Sequence, residues 1–328
     1  MKLKVKDFIK DNYKFILVLM VMILCLYIKL PYYAMAPGGV INITDRVEMD
    51  GYEVSDGSLN MLYVSEYDLT PATYIMAKIK SWEIEKEDTR QVSDESSHDI
   101  KVRNKIMRDN SLDIATMVAY KSANKKIEVK NKKNIIIATT GDNVLKVGDV
   151  IIGVDNIEYE DVSDVKEAIA SKGVGEDIVF NIIRDGKEKD VVSKVSLDNG
   201  NKVVGIIITT EYEYDMEPEV DIRFKSSESG ASGGLMLTLT IYNAVSDEDI
   251  IRGRNIAGTG TISIDGSVGE IDGIKYKIMG AGKNDMDIVF VPRANYDEAI
   301  RTKEEYGYKL DIVKVDNFND AIDYLRNN

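Results

Sequence analysis

Few residues in this chain can do covalent chemistry. Histidine occurs once, as His98, and cysteine once, as Cys25, among 328 residues. One cysteine allows neither an internal disulfide framework nor a cysteine-based zinc site. Gly230-Ala231-Ser232-Gly233-Gly234 heads an apolar run, LMLTLTIYNAV, that reads as a helix. Glycine costs about 1 kcal/mol against alanine inside a helix, so small residues placed there need a reason. A serine at a helix start meets unpaired backbone N–H groups and the positive end of the helix dipole, which stabilise an oxyanion. Glycines on either side let a substrate carbonyl approach the backbone. The competing interpretation is a close-packed helix start with a capping serine, since Gly-x-Ser-x-Gly arises by chance on the order of once in ten such chains.

A serine nucleophile needs a base. The α/β-hydrolase order places a histidine after the serine, and none follows Ser232. His98 lies upstream in EKEDTRQVSDESSHD (85–99), a polar stretch expected to be an exposed loop, which disfavours a chymotrypsin-like order. Lysine remains. Ser122-Ala-Asn-Lys125 has the Ser-x-x-Lys spacing, but it reads as a solvated helix C-terminus whose cations suit the dipole. The base is therefore a lysine distant in sequence.

The elements that must position these groups begin with a hydrophobic segment. Phe15–Ile28 is continuously apolar, and 13–34, with Lys14 and Lys29 snorkelling, reaches the roughly 20 residues a bilayer needs. Lys2, Lys4, Lys6, Lys10 and Lys14 put the N-terminus in the cytoplasm. Ala34-Met35-Ala36 has the form of a signal-peptidase site, but Pro37 obstructs cleavage. The expectation is a basic cytoplasmic tail over 1–12, an uncleaved transmembrane anchor over 13–34, and all that follows outside the cell membrane. A net charge of −14 disfavours nucleic acid as a partner.

Residues 35–124 read as mixed structure, with a helix opened by Thr70-Pro71 and another over 110–123 capped by Asn110 or Ser111. Short β-rich runs fill 125–202, with a hairpin signal at Asp185-Gly186. LKVGDVIIGVD, Leu145 to Asp155, resembles the L-x-x-GD-x-I-x-x-V(N/D) stretch of PDZ domains. The departure is NKKNIIIATT, which lacks the Gly-rich turn that precedes a carboxylate-clamping strand. A peptide can still add as an extra strand at such an edge, or the domain serves only to position its neighbour. Strand–helix alternation over 203–328 argues for an α/β layer arrangement.

Two further stretches, SGASGGLM and IAGTGTISIDGSVGEIDGIKYKIMGA, resemble the catalytic region of Lon-type serine proteases. That family has a Gly-Pro-Ser-Ala-Gly turn, then TG-x-I-x-x-x-G-x-V-x-x-I-G-G-(I/L)-x-x-K. The resemblance implies Ser232 as nucleophile, Lys277 as base and Thr259 as a supporting hydroxyl, with the backbone N–H groups of Gly230, Ala231 and Ser232 as the oxyanion hole. Ala231 stands for the family's proline, Gly233 for its alanine and Asp272 for the first glycine of the pair. A carboxylate at 272 favours the ammonium form of a nearby lysine and opposes its use as base.

The order of segments resembles membrane-anchored PDZ–Lon-like proteases of Gram-positive bacteria. It implies an α/β (α+β) Lon-type proteolytic domain over 203–328, begun within 35–124, with a mostly-β PDZ domain inserted over 125–202. Peptide or protein substrates guided by the PDZ groove are the implied partners. Lon-type domains often form rings, which makes a homo-oligomer a further expectation. The dyad needs neither metal nor nucleotide, and no Gly-x-x-x-x-Gly-Lys-Ser/Thr occurs in these residues. The rival expectations are a tethered PDZ scaffold with an inactive Lon-like domain, and an esterase or acyl transferase using the same serine.

Overall fold

The computed structural model describes residues 2–52, 56–87, 95–141, 143–225 and 228–328. The chain forms two compact units, 1–37 with 64–90, and 38–63 with 91–328.

In the first unit, a helix runs Lys2–Tyr27. The chain turns near Pro31, and Tyr32 to Ala34, expected inside a membrane helix, instead open the strand Tyr32–Asn42. That strand pairs antiparallel with Glu83–Lys86, from Tyr32↔Lys86 to Met35↔Glu83. The 13–34 anchor is thereby corrected. Lys10, Asp11 and Lys14 place charges along the helix, so its uncharged apolar part runs only from Phe15 to Tyr27. That is about 20 Å at 1.5 Å per residue, short of a roughly 30 Å hydrocarbon core. Among the described residues no helix is long and apolar enough to cross a membrane. A second helix, Pro71–Ile79, starts as the Thr70-Pro71 signal predicts, with a capping box between Thr70 and Thr73.

The second unit is built on strands in the order Asp311–Val315, Ile288–Pro292, Asn255–Gly258, then residues 58–63 of Ser58–Asp68 and 38–42 of Tyr32–Asn42. Asn255–Gly258 is parallel to both of its neighbours. Side chains alternate across a strand, and here the alternation divides two cores. Leu59, Ile256, Ile288 and Phe290 face one apolar cluster; Leu62, Ala257, Val289 and Val291 face the other. The first cluster holds the helix Gly234–Val245, and the second holds Ile274 and Ile278 of the helix Ile274–Gly282. The helix bearing the serine turn and the one bearing Lys277 therefore pack on opposite faces of one sheet. This is the α/β layering the alternation predicts.

The long helix Ser97–Ser122 starts well before the 110–123 segment expected for it, because Ser96 and Asp99 form a capping box inside the stretch read as loop. His98 is exposed on its first turn. Much of the expected acidic loop, 88–94, lies outside the described residues.

The β-rich region forms its own sheet in the order Ile206–Glu217, Lys126–Thr139, Val150–Val154, Asp177–Arg184, Lys187–Lys194. Helix Val162–Ser171 sends Val165 and Ile169 into its core beside Ile136 and Phe180. The hairpin turns at Asp185 (φ 54°) and Gly186 (φ 71°) as predicted. One boundary differs: Ile206–Glu217 pairs with Lys126–Thr139 along its whole length, so this sheet extends past 202. Gly205 (φ 66°) precedes this strand, and a Cβ there would lie 2.7 Å from Thr140 Oγ1. Farther along the same strand, Asp113 of the long helix accepts the Tyr212 N–H at 2.9 Å and the Tyr214 hydroxyl at 3.4 Å.

Candidate active site

The serine turn is held from three sides. Gly230 (φ 89°) donates its N–H to the Asn104 carbonyl of the long helix, and Arg108 donates to the Glu228 carbonyl. The Ser111 hydroxyl donates to the Ala231 carbonyl at 3.3 Å. The Ser232 carbonyl accepts both the Gly260 N–H at 2.8 Å and the Thr259 hydroxyl at 3.0 Å. Close approach explains the glycines. A Cβ at 234 would meet Ile262 Cγ2 at 2.7 Å and the Ile262 nitrogen at 2.8 Å; one at 233 would meet Met61 Sδ at 2.2 Å.

The backbone donors then sort themselves. Gly234 and Leu235 donate to the Ala231 and Gly260 carbonyls, and Gly230 is engaged as above. Among the described residues, the N–H groups of Ala231, Ser232 and Gly233 have no acceptor. They sit one turn before the helix Gly234–Val245, where unpaired donors collect. Of the three residues expected to supply an oxyanion hole, Gly230 thus has its N–H engaged by Asn104, while those of Ala231 and Ser232, like that of Gly233, show no acceptor among the described residues.

Thr259 directly follows the central strand Asn255–Gly258, at the carboxyl end where open α/β sheets place their sites. It is fully buried, and it accepts a hydrogen bond from Lys277 Nζ at 2.9 Å. Lys277 is 3% exposed, among Ile274, Ile278 and their neighbours. Burial lowers its pKa from 10.5 to about 8, with the Asp272 carboxylate pulling the other way. Gly280, one turn on, packs its Cα against the backbone of Gly38 and Gly39, leaving no room for a side chain. The turn before the helix is clamped by Asn295, whose amide accepts from the Ile271 N–H at 3.0 Å and donates to its carbonyl at 2.9 Å.

Residues 223–327 match the family described as the Lon protease (S16) C-terminal proteolytic domain, and 119–195 match the PDZ domain family. The chain carries a Lon-type proteolytic domain and a PDZ domain. It is 33% identical over 98 residues to the Lon protease of Mesomycoplasma hyopneumoniae, covering 30% of this chain and 11% of that one. With the Lon protease of Campylobacter jejuni it shares 27% over 169 residues, covering 48% and 21%. With the archaeal Lon protease of Halobacterium salinarum it shares 29% over 109 residues, covering 33% and 15%. The chain thus spans a fifth or less of the length of the first and last of these relatives, and about a fifth of the second. Among solved structures, the PDZ domain of an SdrC-like protein from Listeria monocytogenes is 23% identical, with a TM-score of 0.23, covering 25% of this chain and 92% of that one.

Within the Lon-type domain, the residues singled out in sequence come together in part. Thr259 joins the Lys277 ammonium group to the Ser232 carbonyl, so all three meet at one point. Ser232 Oγ has no hydrogen-bond partner among the described residues, and Lys277 Nζ bonds Thr259 rather than that oxygen. Ser122 ends the long helix, and Lys125 pairs at 3.5 Å with the exposed Asp247, apart from this cluster. Sequence reasoning did not foresee Asn295, or the contacts that Asn104, Arg108 and Ser111 of the long helix make with the serine turn, because each acts on a segment far away in the chain.

Proposed function

We propose that the chain is an ATP-independent serine endopeptidase in which Ser232 is the nucleophile and Lys277 the general base. The observation that carries this is the buried Lys277, held by the same Thr259 hydroxyl that fixes the Ser232 carbonyl. Neutral Lys277 takes the Ser232 Oγ proton as the oxygen attacks a peptide carbonyl. This needs a side-chain rotation at Ser232, since catalytic hydrogen bonds often form only with substrate bound. The tetrahedral oxyanion is stabilised by the free N–H groups of Ala231, Ser232 and Gly233. As the C–N bond breaks, the Lys277 ammonium gives its proton to the leaving amine. Water then hydrolyses the acyl-serine by the same base.

Extended peptides or exposed protein segments are the substrates this reading favours. Ile206–Glu217 ends its sheet, and although Asn110 and Asp113 engage its outer edge at Thr210 and Tyr212, the stretch before Thr210 remains an edge at which a peptide can add as a strand. We place the protein at a cell membrane, held at its surface by the exposed apolar side chains between Phe15 and Ile28 and by the lysine-rich tail that precedes them.

Labelling by a fluorophosphonate, compared among wild type, Ser232→Ala and Lys277→Met, tests the chemistry. Labelling of wild type alone is expected. Equal labelling of all three removes the protease and leaves a tethered PDZ scaffold. Ester turnover without amide turnover by labelled wild type would point to an esterase.

A further inference from the structure

The helix Pro71–Ile79 leaves three large aliphatic side chains in the open. Ile75, Met76 and Ile79 are 62%, 38% and 79% exposed, while Ala77 is fully buried on the other side. At about 100° per residue, these three fall within one 100° sector, and Lys78 and Lys80 project from its two margins. Lys78 Nζ lies 5.8 Å from the Tyr74 ring centre and Lys80 Nζ lies 5.9 Å from that of Trp82. Trp82 in turn stacks on Tyr67 at 5.6 Å. A water-facing helix surface carries polar residues; this one is apolar, edged by lysines and flanked by an aromatic pair.

That surface is continuous with another. An open apolar crevice of about 410 Å³ is lined by Leu17, Val21, Met22 and Leu26 of the helix Lys2–Tyr27, together with Ala72 of the shorter helix. Leu17, Val21, Met22 and Leu26 are each half exposed or more. A protein partner's interface core is depleted in lysine, whereas flanking lysines with an aromatic belt suit anionic lipid headgroups at a bilayer surface. The occupant favoured by this arrangement is a lipid membrane.

We propose that Pro71–Ile79 is an interfacial membrane helix. Ile75, Met76 and Ile79 enter the boundary of the acyl chains, Lys78 and Lys80 reach anionic headgroups, and Trp82 lies at headgroup depth. This rests on the membrane attachment proposed above and adds a second contact to it.

Trp82 is the only tryptophan in the chain, so its emission reports this contact alone. Full-length protein is reconstituted in phosphatidylcholine–phosphatidylglycerol vesicles, with bromine placed either near the headgroup end of the acyl chain or near its terminus. Vesicle flotation is measured in parallel. Wild type should float, and Trp82 should be quenched more by the shallow bromine than by the deep one. Ile75→Glu/Ile79→Glu, which alters only exposed positions, should still float but lose the quenching. Lys78→Glu/Lys80→Glu should lose the dependence on phosphatidylglycerol. Flotation without Trp82 quenching overturns the interfacial helix and leaves the attachment standing. Quenching unchanged in the glutamate variant also overturns it. Emission that shifts with protein concentration but not with brominated lipid assigns the face to a second copy instead. Absence of flotation removes both readings.

Discussion

Lys277 can act as a base only when neutral, and that makes the pH dependence of serine acylation the sharpest probe of the site. Burial brings its pKa from 10.5 to about 8. About one lysine in ten is then neutral at pH 7 and about nine in ten at pH 9. The second-order rate constant for fluorophosphonate labelling of Ser232 should climb about tenfold across that interval, with a midpoint near 8. Asp272 opposes this, because its carboxylate favours the ammonium. In Asp272→Asn the midpoint must fall, so labelling quickens at pH 7 and stays unchanged above pH 9. Asp272 is exposed, and exposed pairs contribute about 0.2–1 kcal/mol. That corresponds to at most about 0.7 pH unit and about a fourfold gain at pH 7. Added salt screens an exposed charge, so it should move wild type toward the variant and leave the variant where it is. A profile flat from pH 6.5 to 9 would refute the lysine base. So would a midpoint that rises in Asp272→Asn.

Stability should also rise with pH at the same lysine, over a somewhat higher window. Between about 8 and 10.5 the unfolded chain keeps a proton that folded Lys277 has released, so stability rises with pH through that window. Below it the folded state carries the full penalty, about 3 kcal/mol. Lys277→Met should therefore abolish labelling yet raise the denaturation midpoint at pH 7, by up to that amount, with the gain fading near pH 10; a destabilised variant contradicts the burial argument. Thr259→Val removes the hydroxyl between Lys277 and the Ser232 carbonyl, and should slow labelling about a hundredfold, with Thr259→Ser restoring most of it. Gly233→Ala forces a Cβ against Met61 Sδ and should cost about 1–3 kcal/mol. The further change Met61→Ala should relieve it, and failure of that rescue in thermal melts points to a backbone cause instead. Burial raises the pKa of Asp113 to about 6. Its ionisation thus weakens the fold as pH rises through about 4 to 6, and Asp113→Asn should flatten that slope in a denaturant titration.

What could be read in advance follows the range of the forces involved. Thr70-Pro71, Asp185-Gly186 and the strand alternation act over a few residues, and each element stands where the pattern put it. The span 13–34 failed because apolar composition says nothing of where a helix stops; pairing of Tyr32–Met35 with Glu83–Lys86 ends it. The start of the long helix was hidden by its charge, since its cap is a Ser96–Asp99 pair inside a stretch that looks like loop. Gly205 was overlooked because the strand it precedes pairs with residues some seventy positions earlier.

The serine turn joins these two kinds of information. Its small residues pose a choice between close packing and a nucleophile; the structure shows the close packing, and on the proposed mechanism the same turn serves the nucleophile. Gly234 is required by Ile262 and Gly233 by Met61, both brought in by the sheet rather than by the helix. Packing that close leaves Gly234 and Leu235 bonded inward, while the N–H groups of Ala231, Ser232 and Gly233 have no acceptor among the described residues. Asn104, on the long helix, meanwhile removes Gly230 from the set. On the proposed mechanism, the steric demand for glycine and the supply of oxyanion donors come from one arrangement of the backbone. A Cβ at 234 would push the turn off Ile262, and that displacement would move the free donors away from the serine they must serve.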